Sequence, residues 1–218
     1  MESTGQKSVL MMSTTEERST PAKVPRSVRI IACGMIAREV LAVNAQLGHD
    51  HIDLKCIDAN YHHHPDRIAP AVDRAIRKAR AEGFEHIFIG YADCGTGGDL
   101  DKVCAAHGVE RIAGPHCFSF YMGNAAFEAA GDEMMTTFFI TDFLARHFDA
   151  FLIRPLGLDR FPELRDTYFG HYERALYLVQ TDDPELEAKA RAAADRLGLR
   201  YERRVTGYGD LTVALAGL

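Results

Sequence analysis

The sequence has no long apolar run and no surplus of basic residues, and these absences exclude whole classes of protein. No apolar stretch approaches the roughly 18 residues that a membrane-spanning helix needs, and the opening residues lack the apolar segment of a signal peptide. Lys and Arg number 25 against 31 Asp and Glu, a net charge of −6, without a basic stripe for nucleic acid. We therefore expect a cytoplasmic protein that binds neither membranes nor nucleic acid.

Two kinds of compact motif are also missing. Neither of the glycine-rich nucleotide signatures, G-x-x-x-x-G-K-[ST] and G-x-G-x-x-G, occurs. No two cysteines have the C-x-x-C spacing of zinc ribbons and ferredoxins. The chain has five cysteines, an odd number that suits free thiols in a reducing compartment better than a disulfide framework. Any shared role for the cysteines therefore depends on the fold.

Periodicity predicts one α/β domain. Residues 1–27 are rich in Ser, Thr, Glu, Lys and Pro without apolar periodicity, which predicts a disordered N-terminal leader. From Val28 onward, short apolar runs alternate with amphipathic stretches, as in βαβ units. We expect residues 28–218 to form a single Rossmann-like three-layer domain with a mostly parallel sheet of six or seven strands. The predicted strands are 28–33, 51–57, 86–92, 110–114, 135–141, 175–180 and 200–206.

Three cysteines follow predicted strands at the point where each strand ends. Cys33 lies in IIACGMIARE, Cys94 in FIGYADCGTGGDL and Cys117 in IAGPHCFSFYMG. Ligands of open α/β sheets bind beyond the carboxyl ends of strands, and a following helix N-terminus favours thiolate. We expect these three side chains to bind zinc or a [4Fe–4S] cluster, although a small apolar packing role is the alternative for each. Cys56 and Cys104, within a strand and a helix, are predicted core residues.

Other polar residues and glycines accompany the three cysteines. His116 and Asp93 each precede one of them and are candidate catalytic residues, as acid–base groups or ligands. Four glycines next to these cysteines leave room for a ligand and are candidate cofactor-binding positions: Gly34, Gly95, Gly97 and Gly98. Of the adjacent histidines 62–64, at most two can reach a common site. Asp142 is interpreted as an ordinary helix cap.

The segments IIACGMIARE, IGYADCGTGG and GPHCF, in this order, resemble a bacterial and archaeal family, domain of unknown function 1638 (DUF1638). The resemblance covers about residues 28–218. The segments TDFLARHFD, LGLDRFPELRDTYFGHY and TGYGDL are similar to the version of the family in which Gly-Thr-Gly-Gly follows the second cysteine. The resemblance implies one continuous domain and the importance of the three cysteines, without an established reaction. It also implies a link to corrinoid methyl transfer, which a thiol-activating zinc site would suit.

Three functions remain open at this stage. The leading hypothesis is a metal-binding protein, and an enzyme acting on a small molecule, with Cys33, Cys94 and Cys117 as ligands. The second is a metal-free enzyme with Cys94 or Cys117 as nucleophile and His116 as its base. The third is a non-catalytic metal or cofactor carrier, or an accessory protein that meets its partner through the aromatic segment 168–172. A homo-oligomer is compatible with all three.

Overall fold

The computed structural model describes residue 1 and residues 28–218, so the leader predicted for residues 1–27 lies outside the described part apart from Met1. The strands in the described residues are β1 (Val28–Cys33), β2 (Ile52–Ile57), β3 (His86–Gly90), β4 (Glu110–Arg111), β5 (Thr137–Ile140), β6 (Arg174–Val179) and β7 (Arg200–Val205). The α-helices are α1 (Ala37–Leu47), α2 (Ile68–Ala81), α3 (Asp99–His107), α4 (Cys117–Met122), α5 (Asn124–Ala129), α6 (Asp142–Phe148), α7 (Arg165–Phe169), α8 (Pro184–Leu197) and α9 (Asp210–Ala216). Every predicted strand is present, with ends shifted by a few residues at most.

The strands form two parallel sheets, so the expectation of a single sheet of six or seven strands was wrong. The first sheet has the order β2-β1-β3-β4 and the second the order β5-β6-β7. The β4 strand has only two residues, which pair with Phe88 and Ile89 of β3. Pro115 follows shortly after β4 and has no N–H with which to extend a ladder. Because so short an edge offers few backbone hydrogen bonds to another strand, β5 begins a second sheet.

Parallel pairing places the ends of β1, β2 and β3 at one edge of the first sheet. Cys33 is in register with Ile57 of β2, and Ala32 is in register with Gly90 of β3. A Cβ atom at Gly90 would lie 2.7 Å from the Ala32 Cβ atom, so this close approach requires glycine. The loops that follow the three strands therefore emerge beside one another.

The two sheets share one apolar core. Ile30 and Phe88 of the first sheet and Phe139 and Leu178 of the second belong to the same buried cluster, together with residues of α1, α4 and α9. Helices α2 and α3 cover the other face of the first sheet, and α6 and α8 cover that of the second. The single domain over residues 28–218 stays a prediction, which this shared core favours. Within these residues, every helix is too short or too polar to cross a membrane.

The two cysteines predicted to be core residues differ in burial. Cys104 of α3 is 5% exposed and packs in the cluster between the first sheet and its helices, as expected. Cys56 is exposed, so its predicted burial was wrong. The reason is that β2 is an edge strand, most of whose side chains remain accessible to solvent. The two residues provide natural controls for experiments on the other three cysteines.

Candidate functional site

A small cavity at the carboxyl ends of the first sheet is lined by Cys33, Cys94 and Cys117. Cys33 ends β1, Cys94 lies in the loop after β3, and Cys117 begins α4. The space open to a water-sized molecule is about 30 Å³. One water molecule needs roughly 10–15 Å³ on this scale, so the cavity has room for a ligand of very few atoms. His62 and Tyr91 add polar atoms to walls that are otherwise mostly apolar, formed by Met35, Ile36, Ile68, Ala92 and Phe120.

Cys94 has an unusual backbone conformation. Its φ of 53° makes it the one non-glycine residue with positive φ in the described chain. The left-handed conformation costs a non-glycine residue about 1–2 kcal/mol, and such strain concentrates at functional sites. The Cys94 N–H donates to the Pro115 carbonyl at 2.7 Å, and the Asp93 N–H donates to the Gly114 carbonyl at 3.0 Å. These bonds hold the Cys94 loop against the segment that leads to Cys117.

All three cavity thiols are protonated at neutral pH. Burial raises the pKa of Cys33, raises that of Cys94 to about 12, and raises that of Cys117 well above its ordinary value. The neighbouring thiols add to the shift, since ionisation of one disfavours ionisation of the next. The sequence predicted that helix N-termini would favour thiolate at these positions. Desolvation outweighs that effect, because the charged form loses more hydration than a short helix restores.

Tyr91 and His62 supply the other polar groups of the cavity. The Tyr91 hydroxyl has no partner with full hydrogen-bond geometry among the described residues, although it lies close enough to Cys33 to lower that thiol's pKa against the larger effect of burial. Burial lowers the pKa of His62, and the adjacent His63 adds to this shift. The His62 imidazole is therefore neutral at pH 7, the form in which histidine accepts a proton or binds a metal. Tyr91 was not among the residues predicted for the site, and its position directly after β3 is the signal that could have identified it.

Asp93 stabilises its own loop. Its carboxylate accepts hydrogen bonds from the Thr96 hydroxyl at 2.7 Å and from the N–H groups of Gly97 at 3.2 Å and Gly98 at 3.0 Å. Burial by itself would raise the pKa of Asp93, but these bonds outweigh it and lower the pKa. Gly97 and Gly98, two of the candidate cofactor-binding positions, thus donate their N–H groups to the Asp93 carboxylate.

Gly34 and Gly95 have packing reasons for lacking a side chain. A Cβ atom at Gly34 would lie 3.0 Å from the carbonyl oxygen of Ile57, where β1 and β2 end side by side. Gly95 has a φ of +81°, and a Cβ atom there would lie 3.4 Å from the side chain of Pro65. Both glycines therefore shape the loops around the cavity.

His116 faces an aromatic cluster and is not among the residues that line the thiol cavity. Its ring lies 5.0 Å from the rings of both Phe118 and Phe127, measured between centroids. Burial lowers the pKa of His116, and its Nδ1 atom is buried without a partner among the described residues. His116 is therefore adjacent to Cys117 in sequence, but its ring contacts the aromatic cluster and not the thiol cavity.

Two carboxyl groups have a degree of burial that the sequence analysis did not predict. Asp142 is fully buried, and its carboxylate accepts hydrogen bonds from Tyr177 of β6 and from Gln180 and Thr181, which follow that strand. Thr141 caps α6 instead, through a 3.3 Å bond from Leu144 N–H. Glu39 is 5% exposed, and burial raises its pKa. Its spacing of three and four residues from Ile36 and Val43 is the signal that could have revealed it.

The cavity contains donor atoms that suit a metal ion, the three thiol sulfurs and the His62 imidazole, but these atoms do not surround a common point. In the described part of the chain, no group of three or more His, Cys, Asp or Glu side chains is arranged to hold a metal ion. The chemistry of the donor set nevertheless fits, because thiolate sulfur and neutral imidazole are the ligands that zinc prefers. Binding would require the three thiols to draw together from their present positions in the cavity walls.

Comparison with known proteins places the chain in a family. The family model described as "Protein of unknown function (DUF1638)" matches residues 56–215, which include Cys94 and Cys117 but not Cys33. Searches of the curated proteins and of the solved structures give no significant match. The family match extends over most of the chain, from the end of β2 to the last helix. The chain therefore belongs to the DUF1638 family of proteins of unknown function.

Proposed function

We propose that this protein is a metal-dependent enzyme that binds one zinc ion through Cys33, Cys94 and Cys117 and acts on a small molecule. The observation that carries the proposal is the meeting of these three cysteines, from three separate strand ends, in the walls of one cavity. The strained backbone of Cys94 supports it, since packing alone gives no reason for a left-handed cysteine. Free cysteines of this kind suit a reducing compartment such as the cytoplasm.

The size of the cavity favours a single ion over a cluster. About 30 Å³ accommodates an ion and one small ligand, whereas a [4Fe–4S] cluster brings eight heavy atoms to the same place. A bound zinc ion would supply Lewis-acid chemistry or hold a thiolate substrate in its fourth position.

The chain's own residues have separate roles in this proposal. The three thiols lose their protons as they take up the ion, and because their pKa values are raised, these protons are released to solvent at neutral pH. Tyr91 is placed to donate a hydrogen bond to a substrate in the cavity, and neutral His62 is placed to accept a proton from it. Asp93 acts indirectly, by holding the loop that carries Cys94.

The raised thiol pKa values weigh against the metal-free alternative. A cysteine nucleophile needs a thiolate near neutral pH, which is supplied by a lowered pKa or an adjacent base. Burial has the opposite effect on Cys94 and Cys117, and His116 is directed toward Phe118 and Phe127. Neither requirement is met by these residues.

Metal analysis of cysteine variants tests the proposal. The protein is purified anaerobically as wild type and as Cys33→Ser, Cys94→Ser and Cys117→Ser, beside the controls Cys56→Ser and Cys104→Ala. We expect about one zinc per chain in wild type and in both controls, and at least a tenfold weaker affinity in each of the other three variants. Proton release on zinc addition is measured in weakly buffered solution.

Three results would overturn the proposal. The first is the absence of zinc binding in the wild type. The second is a loss of zinc affinity in the control variants equal to that in the variants of Cys33, Cys94 and Cys117. The third is iron with acid-labile sulfide in place of zinc, which would indicate a cluster protein. Unfolding curves of each variant separate loss of a ligand from loss of the fold.

A further inference from the structure

A second cavity lies on the other half of the molecule, where α6 ends and α8 packs beside it. Its volume is about 430 Å³, within the range of about 300–1,000 Å³ that small-molecule sites occupy. It shares no lining residue with the thiol cavity. The charged side chains in its walls are Arg146, Arg154, Lys189, Arg196 and Asp149, and we call this cavity the basic pocket.

The basic pocket concentrates positive charge in a chain whose net charge is −6. Four cationic side chains line it against one carboxylate, that of Asp149, which is paired with Arg196. Arg146 lies 3.9 Å from its nearest carboxylate partner, on Asp142, which already accepts four hydrogen bonds. Arg154 has no ion pair in the described part of the chain. Lys189 is paired with Glu185 at 2.6 Å, outside the pocket walls. The walls themselves hold four cationic groups against one carboxylate, and Arg154 is the cation that no carboxylate of the described residues offsets.

The backbone that forms one wall of the pocket is irregular. His147 has φ −122° and ψ 23°, which interrupts α6, and a π-helical turn follows over Asp149–Ile153. Short π-helical segments are rare and frequently occur at functional sites. The His147 ring is held by contacts with Phe143 and Phe151, 4.7 and 6.1 Å away between centroids. This irregular turn leaves Arg146 and Arg154 in the walls of the same cavity.

The environment of His147 is also electropositive. Burial is the largest effect that lowers its pKa, and the charges of Arg38, Arg146 and Lys189 lower it further. A neutral imidazole among cationic groups can still donate a hydrogen bond to an anion. The surroundings of this ring therefore point to the same kind of ligand as the charged walls.

We propose that the basic pocket binds a small molecule through a phosphate or diphosphate group. Guanidinium groups match the oxygens of such anions with paired hydrogen bonds, and the ammonium group of Lys189 adds charge. A concave pocket of this size suits a small molecule, whereas a nucleic acid needs an extended basic surface, against which the net charge of −6 argues. The proposal does not depend on metal binding at the thiols.

Calorimetric titration with inorganic pyrophosphate tests the proposal. The proteins compared are wild type, the double variant Arg154→Gln with Lys189→Gln, and Arg74→Gln. Arg74 is an exposed residue of α2 outside the pocket, so its replacement reports on the loss of one positive charge elsewhere. We expect saturable binding by wild type, at least tenfold weaker binding by the double variant, and a change of less than twofold for Arg74→Gln. Wild-type binding should weaken as salt is added.

Three outcomes would overturn this assignment. One is the absence of saturable pyrophosphate binding by the wild type. Another is a loss of pyrophosphate affinity in Arg74→Gln equal to that in the double variant, which would indicate non-specific electrostatic attraction. Stronger binding of citrate than of pyrophosphate would show that carboxylates are the preferred anions. The Cys94→Ser variant should bind pyrophosphate like wild type, so failure at one site is distinguishable from failure at the other. Unfolding curves confirm that the double variant is folded.

Discussion

In the metal-free protein, the Cys94 thiol should react with iodoacetamide about a thousandfold more slowly at pH 8 than an ordinary thiol. Burial raises its pKa to about 12, from 9.0 for an unperturbed cysteine. Only the thiolate reacts with such reagents. At pH 8 the thiolate makes up about 9% of a thiol with a pKa of 9 and about 0.01% of one with a pKa of 12. The ratio of these fractions is the expected difference in rate for thiolates of equal intrinsic reactivity.

Mass spectrometry of the alkylated peptides gives the rate at each cysteine separately. Exposed Cys56 serves as the accessible reference within the same chain, and because burial raises its pKa too, a small thiol of ordinary pKa sets the thousandfold scale. Limited access of the reagent slows Cys94 by the same factor at every pH, whereas a raised pKa makes its rate rise with pH beyond about pH 10. A Cys94 rate that stops rising below pH 9 would refute the reasoning and would favour a cysteine nucleophile. Added zinc should protect Cys94 and leave Cys56 reactive.

The same shift predicts how stability depends on pH. The pKa of Cys94 is about 12 in the folded chain and 9.0 for an unperturbed thiol, so the folded state holds this proton more tightly. The resulting stabilisation is complete below about pH 9 and is lost as the pH rises toward 12, by up to about 1.4 kcal/mol per pH unit. Urea unfolding at pH 8 and pH 10 measures the change, and Cys94→Ala should reduce it. Equal pH dependence in the variant and the wild type would contradict this account.

Three further substitutions test the architecture around the sites. Asp142→Ala leaves several buried donors unpaired and should lower the free energy of unfolding by about 3–5 kcal/mol in urea titrations, against about 1 kcal/mol for Tyr177→Phe; a loss below 1 kcal/mol would contradict the buried network. Gly90→Ala forces a methyl group against Ala32 of β1 and should lower the free energy of unfolding by about 1–3 kcal/mol. Gly217→Ala, where the added methyl group meets open space, should leave it nearly unchanged. Equal effects of the two substitutions would refute the close approach of β1 and β3 at Gly90. Asp93→Ala should destabilise the protein by about 1–2 kcal/mol and speed proteolytic cleavage in the Cys94 loop, and unchanged cleavage would argue against its loop-holding role.

The positions of individual strands and helices could be predicted from the sequence. The strand predicted at 28–33 has the same bounds in the structure, and the strands predicted at 175–180 and 200–206 differ from the observed ones by a single residue at one end or both. Apolar periodicity and flanking glycines identify such elements because they depend on neighbouring residues. The positions of Cys33, Cys94 and Cys117 at strand ends follow from the same pattern.

Features that depend on contacts between distant segments, such as sheet assignment and side-chain exposure, could not be predicted from local sequence patterns. Whether β5 joins the first sheet depends on the length of β4, which has only two residues, and on competition between sheet edges. The exposure of Cys56 depends on β2 being an edge strand, which only the strand order decides. The direction of the His116 ring depends on aromatic residues that lie in α4 and α5.

The sequence by itself determined the α/β class, the succession of strands and helices, and the presence of three thiols at strand ends. The tertiary structure alone decided that the strands divide into two sheets and that the thiols share a small cavity with Tyr91 and His62. It also decided that Asp93 is bound by its own loop and that cationic groups meet between α6 and α8. The physical reason is that secondary structure follows from local residue preferences, whereas burial, ionisation and side-chain proximity depend on which distant segments pack together.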